Sequence, residues 1–357
     1  MTTTSTQRGA WFVVFGLVAC GGDASPGGGA DPDARASAGA DATGGGSTDA
    51  SADAAAPRRV RFVAIGDTGK GNDGQRQVAA AMAQVCATEG CDFVVLLGDN
   101  IYDAGVSGVD DPLWQERFEQ PYAGLDLPFY AVLGNHDYGG WLVVPLGGLG
   151  NEFSKGQHEV AYSQVSAKWR MPATHYTFTA AHVGFIALDT NAILWGDTTY
   201  GDQATWLPTA TAAVADRRWQ IVLGHHPYRS NGEHGNAGNY DAPELAGIPI
   251  PNPLPIQNGA AMKDFFDAHV CGIGQVYLTG HDHSRQWLDE NERACGMELL
   301  VSGAGASVTS LRDRGNRAHY QDASEVGFLH VDIDGDTLRG RFFDGTGALD
   351  FERVITR

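Results

Sequence analysis

The sequence predicts an α/β fold. Three observations carry that prediction. Several stretches are continuous apolar runs, as strands buried on both faces are; "DFVVLLG" (92–98) and "VGFIALD" (183–189) are two of them. Helical patterns lie between the early runs. Five of the runs end in a glycine followed at once by aspartate, asparagine or histidine, and α/β sheets place their sites at strand carboxyl ends.

Residues 1–20 hold one charge, Arg8, and the apolar run "WFVVFGLVA". That run is too short to span a bilayer and fits the core of a secretory signal. It ends in "LVAC" (17–20), which resembles the lipobox of bacterial lipoproteins, where the cysteine is lipidated. The expectation is an exported lipoprotein anchored to the outer membrane through Cys20, facing the periplasm or the cell surface. A secretion signal cut near Ala19 is the alternative. Residues 21–57 are Gly, Ala, Ser, Asp and Pro, with almost nothing apolar beyond alanine. Such a segment cannot bury enough surface to offset its ordering entropy, so it reads as an acidic tether.

The globular domain is expected over residues 58–357. Strand signals are 59–66, 92–98, 128–134, 175–180, 183–189, 219–224, 274–280, 297–303, 327–333 and 337–343, the last ones resembling a meander. Val78, Met82 and Val85 fall at helical spacing within 74–87, as do Met262, Phe265 and Phe266 within 258–270. Pro208 weakens the helix otherwise drawn through "QATWLPTATAAVA". Beside Cys20 there are four cysteines, an even number that suggests two disulfides in an exported chain. The preferred pairs, Cys86–Cys91 and Cys271–Cys295, each tie a helix end to a following strand; four buried thiols are the alternative.

The net charge of −19 excludes a chain built to wrap nucleic acid. It also repels anionic substrates at long range, so phosphate chemistry here would need local cations, and that points to metals. The five clusters suit that chemistry: "GDTG" (66–69), "GDNIY" (98–102), "GNHD" (134–137), "GHHP" (224–227) and "GHDH" (280–283). Carboxylate, amide and imidazole together suit divalent Zn, Mn or Fe. Any one cluster alone is weak, because a Gly-Asp pair is usually only a turn.

Taken in order, the clusters resemble those of the purple acid phosphatases, within the calcineurin-like metallophosphoesterases, and most of all the small tartrate-resistant type. "AYSQVSAKWRMPATHYTF", "ALDTN" and "LVSGAGA" extend the likeness over residues 59–357. The resemblance implies a four-layer α/β/β/α sandwich and two metals. Asp67, Asp99, Tyr102 and His283 would hold one, and Asp99, Asn135, His225 and His281 the other, with Asp99 bridging. Phenolate is a hard, charged donor that favours a trivalent ion, so Tyr102 implies Fe3+ in the first site. The second would take Fe2+, Zn2+ or Mn2+. The implied reaction is hydrolysis of small phosphate monoesters by a metal-bound hydroxide, with His136 helping the leaving group and His234 as a second active-site histidine.

Two departures stand out. The family often has tyrosine where this chain has His226, which is expected to be a substrate contact, a residue that lies behind the ligands, or a surface residue. The segment between Asn191 and Gln203 is short beside the acidic loop of the mammalian enzymes. Phosphodiester or nucleotide hydrolysis on the same metals is the alternative activity, and a non-catalytic surface binding protein the alternative class. Contact with a membrane is expected only through the lipid anchor, and the chain is expected to be monomeric.

Overall fold

The computed structural model describes residues 59–141, 147–241, 254–289 and 296–357, with the backbone of 244–245 and 248–249. The signal segment, the tether and Cys295 lie outside the described residues. None of the described helices is long and apolar enough to cross a membrane.

Strands β1 (Arg59–Ile65), β2 (Phe93–Leu97), β3 (Phe129–Val132) and β4 (Trp169–Arg170) run parallel to one another. The next strands are β5 (Tyr176–Ala180), β6 (Val183–Ala187) and β7 (Trp219–Leu223), then a short ribbon of β8 (Glu244–Leu245) and β9 (Ile248–Pro249). They are followed by β10 (Val276–Thr279), β11 (Arg285–Leu288), β12 (Glu298–Ser302) and β13 (Ala318–Asp322). An antiparallel meander of β14 (Gly327–Asp334), β15 (Thr337–Asp344) and β16 (Leu349–Thr356) closes the chain. Two seven-stranded sheets result, ordered β16-β15-β14-β1-β2-β3-β4 and β13-β11-β12-β10-β7-β6-β5.

The period-2 alternation of a strand explains the layering. Phe185 and Ala187 of β6 join the apolar core between the sheets, while Ile186 joins a second core on the far face. Ile221 and Leu223 of β7 divide from Val222 in the same way, and Leu278 of β10 divides from Tyr277. Across the sheets, Phe185 meets Phe62 of β1 edge-on at 5.5 Å and Phe93 of β2 at 5.6 Å. Burying one such ring contributes about 2–3 kcal/mol. Helix α1 (Asp73–Glu89) covers the first sheet through Val78, Met82 and Val85. Leu194, Leu207 and Met262, from three further helices, cover the second. This is the four-layer α/β/β/α arrangement.

Several local expectations are met and others corrected. Asn72 caps α1 by accepting from the Gln75 amide at 2.9 Å, and the Cys86–Cys91 disulfide ties its end to β2. Cys271 is also disulfide-bonded. Pro208 does not break its helix, which spans Gln203–Val214. Tertiary contacts outweigh the lost amide: Gln203 makes two hydrogen bonds to the Asp189 backbone, and Leu207, Ala210 and Val214 are buried. The helix expected over 258–270 begins just after Gly259, whose φ is 65°, and runs through Ala260–Phe265 into a wider π-type turn over Phe266–Val270; a separate short helix, Pro255–Asn258, precedes it. Strand β11 escaped the apolar pattern because it buries Arg285, paired to Asp322 at 2.6 Å and Asp350 at 2.5 Å.

Candidate metal centre

The parallel strands β1, β2 and β3 of one sheet and β7 and β10 of the other deliver the five clusters to one edge of the sandwich. In three of the clusters the residue after the glycine turns the chain: Asp67, Asp99 and His281 take left-handed φ values of 58°, 53° and 68°, and before Asp99 the glycine, Gly98, has a positive φ of 87° as well. Each such residue costs about 1–3 kcal/mol and persists only where its surroundings hold it. The glycines serve by lacking a Cβ. At Gly134 a Cβ would lie 2.2 Å from Asp99 Oδ1.

Donors gather in two groups. Tyr102 Oη lies 2.9 Å from Asp99 Oδ2, 3.2 Å from Asp67 Oδ1 and 3.0 Å from His283 Nε2. In the second group His225 Nε2 lies 3.4 Å from Asp99 Oδ1, 3.1 Å from Asn135 Oδ1 and 3.2 Å from His281 Nδ1. Donors held about 2.0–2.2 Å from one first-row ion stand ~3 Å apart, so both groups fit such an ion. Asp99 turns one oxygen to each group. Hydrogen bonds behind the site aim the donors. The Leu97 carbonyl at 2.8 Å takes the Nδ1 proton of His225 and leaves Nε2 a lone pair. Asn135 donates its amide nitrogen to Gly148 O at 2.7 Å, which turns Oδ1 inward.

The electrostatics ask for cations. Burial, with the charges of Asp99 and Asp67, pushes the Tyr102 phenol well above its ordinary value. A phenolate there needs a positive ion beside it. Burial also works against charge on His225, but the Asp99 carboxylate wins and raises that imidazole to about 9. His281 goes the other way, pushed well down by burial and by its histidine neighbours His234 and His226.

His136 and His234 flank the donors without joining them. The His136 ring lies 4.3 Å from the Tyr102 ring, its backbone amide donates to Asp99 Oδ1 at 2.9 Å, and its Nδ1 donates to Asp103 O at 2.7 Å. His234 stacks on His281 at 4.1 Å and pairs with Asp241 through Nδ1 at 2.7 Å. His226 is fully buried, which removes the surface reading. Its Nδ1 meets Thr190 Oγ1 at 2.9 Å and its ring lies 4.5 Å from that of His281.

Sequence reasoning left Asp137, Asn100 and Glu159 without roles. The Asp137 carboxylate accepts from the amides of Asn100 at 2.7 Å, Ile101 at 3.0 Å and Gly134 at 2.8 Å, and so locks the loop after β2 to the loop after β3. Glu159 is buried beside it and accepts from the Asn100 side chain at 3.2 Å. Burial and the Asp137 charge push Glu159 well above the carboxylate range. The last letter of "GNHD" was a signal for Asp137; nothing in the sequence pointed to Glu159.

A carboxylate with one oxygen toward each donor group yields a sharp test. Asp99→Asn keeps the volume and removes the charge. Metal content of the purified protein should fall from about two ions per chain to about one or fewer. Retention of both ions, measured by elemental analysis, would remove Asp99 from the bridging position.

Comparison with known proteins agrees with this geometry. The family model for calcineurin-like phosphoesterases matches residues 60–285. Tartrate-resistant acid phosphatase type 5 of Mus musculus is 29% identical over 336 residues, covering 84% of this chain and 90% of that protein. Purple acid phosphatase 3 of Arabidopsis thaliana is 28% identical over 308 residues, covering 81% of this chain and 75% of that one. Among solved structures, GAP50, the anchor in the inner membrane complex of Plasmodium, superposes with a TM-score of 0.61 at 20% identity, over 84% of this chain and 89% of its own. Purple acid phosphatase PPD1 from yellow lupin (Lupinus luteus) seeds gives 0.57 at 16% identity, over 84% and 55%. These two structures share the fold. The family match runs from β1 to the start of β11 and contains every residue of both donor groups, and on that match the chain belongs to the calcineurin-like phosphoesterase family.

Proposed function

We propose that this protein is a dinuclear-metal acid phosphatase that hydrolyses phosphate monoesters outside the cytoplasm. The observation that carries the reading is Tyr102, whose oxygen sits within 3.2 Å of donor atoms from Asp67, Asp99 and His283. Acid phosphatases among the similar proteins support it. Asp67, Asp99, Tyr102 and His283 would hold Fe3+; Asp99, Asn135, His225 and His281 would hold Fe2+, Zn2+ or Mn2+. When bound, the ions acidify water and neutralise phosphoryl oxygens.

The chain's own residues supply the rest. His136 donates through Nδ1 to the Asp103 carbonyl, so in its imidazolium form it presents the second proton, on Nε2, to the leaving oxygen. Asp241 orients His234 over the second donor group, where its imidazole binds a phosphoryl oxygen. Buried Asp137 holds the two loops that carry Asp99 and Asn135 in register, so the donors need no rearrangement when substrate arrives.

Three experiments test this reading. Tyr102→Phe keeps the ring and drops the oxygen. The iron-loaded wild type should be visibly coloured through phenolate-to-metal charge transfer, and the mutant should bleach and hold iron less tightly. An iron-loaded wild type with no visible band, or an unchanged band in the mutant, overturns the phenolate assignment. A series of aryl phosphates of graded leaving-group pKa tests His136 and the substrate class together. His136→Ala should lower kcat by about 10²-fold or more for poor leaving groups and less for good ones. Equal losses across the series would rule out proton donation, and faster turnover of diesters by the wild type would overturn the monoester reading. The lipid anchor rests on residues 17–20: labelled fatty acid should be incorporated by the wild type and not by Cys20→Ala, and an unlabelled wild type overturns the lipoprotein reading.

A further inference from the structure

We infer that Lys70 is a positioning residue that tunes the tyrosine-containing metal site by placing a positive charge against two of its donors at once. The inference rests on the proposed phenolate–iron bond. Lys70 Nζ sits over the Tyr102 ring, 4.7 Å from its centroid. The same ammonium donates to Ser307 Oγ at 2.8 Å. Ser307 Oγ is in turn 3.1 Å from His283 Nδ1. His283 Nε2 faces Tyr102 Oη, so Nδ1 carries the ring proton and donates it to the serine oxygen. The hydroxyl oxygen thus accepts from an imidazole and from an ammonium together.

The placement is built into the fold. Lys70 follows Asp67 by three residues in the turn after β1, and its amide donates to Thr68 O at 2.8 Å. Ser307 lies in the loop after β12. Asn72 Nδ2 donates to Ala306 O at 3.0 Å and holds that loop against the same turn. The contact between Lys70 and Ser307 therefore has a second bond beside it, from neighbouring residues of both segments.

The chemistry has a sign. A histidine that binds metal usually gives its second proton to a carboxylate or carbonyl, which makes it a stronger donor. A hydroxyl already polarised by an ammonium does the opposite. A cation over an aromatic face lowers the energy of the ring electrons, and a phenolate ring feels this more than a phenol. Both effects weaken donation to the metal. The charge-transfer transition therefore needs more energy, and the trivalent ion is favoured less over the divalent one, so the reduction potential rises.

The test compares iron-loaded full-length wild type, Lys70→Met and Lys70→Arg by visible spectroscopy and reductive titration. Lys70→Met keeps most of the stem and removes the charge. Its visible band should move to longer wavelength and its midpoint potential should fall. Lys70→Arg retains the charge and should stay near the wild type in both. Ser307→Ala cuts only the path to His283 and should lower the potential by a smaller step. A coloured wild type with an unmoved band and potential in Lys70→Met overturns this inference alone. A colourless iron-loaded wild type overturns it together with the phenolate reading beneath it. Equal shifts in Lys70→Met and Lys70→Arg would mean that shape, not charge, is responsible, and would also overturn it.

Discussion

Everything at the site depends on the carboxylate of Asp99. It is buried, it sits in a left-handed backbone conformation, and its two oxygens face two different groups of donors. A carboxylate desolvated in this way carries a cost of several kcal/mol unless compensating charge surrounds it. Among the described groups the compensation begins with the His136 amide and the His225 imidazole, which hold its ionised form despite burial. The neighbours bring further negative charge, from Asp67 and, once ionised, from Tyr102. The arrangement makes physical sense only as a cradle for cations.

That constraint explains why two sheets are needed. One sheet supplies Asp67, Asp99, Tyr102 and Asn135 from three successive parallel strand ends, and the other supplies His225, His281 and His283 from two. Neither sheet alone completes either donor group. Packing of Phe62, Phe93 and Phe185 between the sheets sets the distance between the two halves. The apolar core is therefore part of the metal-site geometry, because a shift of one sheet against the other would separate His225 from Asp99. Close-packed interiors resist such shifts.

The donors were legible in the sequence because each sits within five residues of its strand's end, where a local pattern of apolar run, glycine and ligand is visible. The layering was legible too, since runs like 183–189 are apolar on both faces. What escaped is non-local or contrary to propensity. Lys70 and Ser307 are 237 residues apart, and no local pattern links them. Asn100 and Glu159 meet only because the short helix Gly156–Tyr162 folds back under the β2 loop. Strand β16 alternates between exposed and half-buried residues at a sheet edge, so its apolar signal is faint. Pro208 weakened the case for its helix, yet burial of one helix face overrode propensity. The left-handed conformations of Asp67, Asp99 and His281 escaped too, because a Gly-Asp or Gly-His pair does not show which residue turns the chain.

An acidic protein acting on phosphate esters looks self-defeating, with a net charge of −19 against an anionic substrate. The length scales resolve it. At physiological ionic strength the Debye length is about 8 Å, so charges beyond the rim of the site are largely screened. Within that radius the balance is different. The carboxylates of Asp67 and Asp99 are spent on the cations they would hold. Asp241 is paired with His234, while Asp137 and Glu159 lie buried behind the loops. The imidazoles of His136 and His234 and the ammonium of Lys70 stand beside the donors. Local order of charge, not the total, decides what such a site attracts.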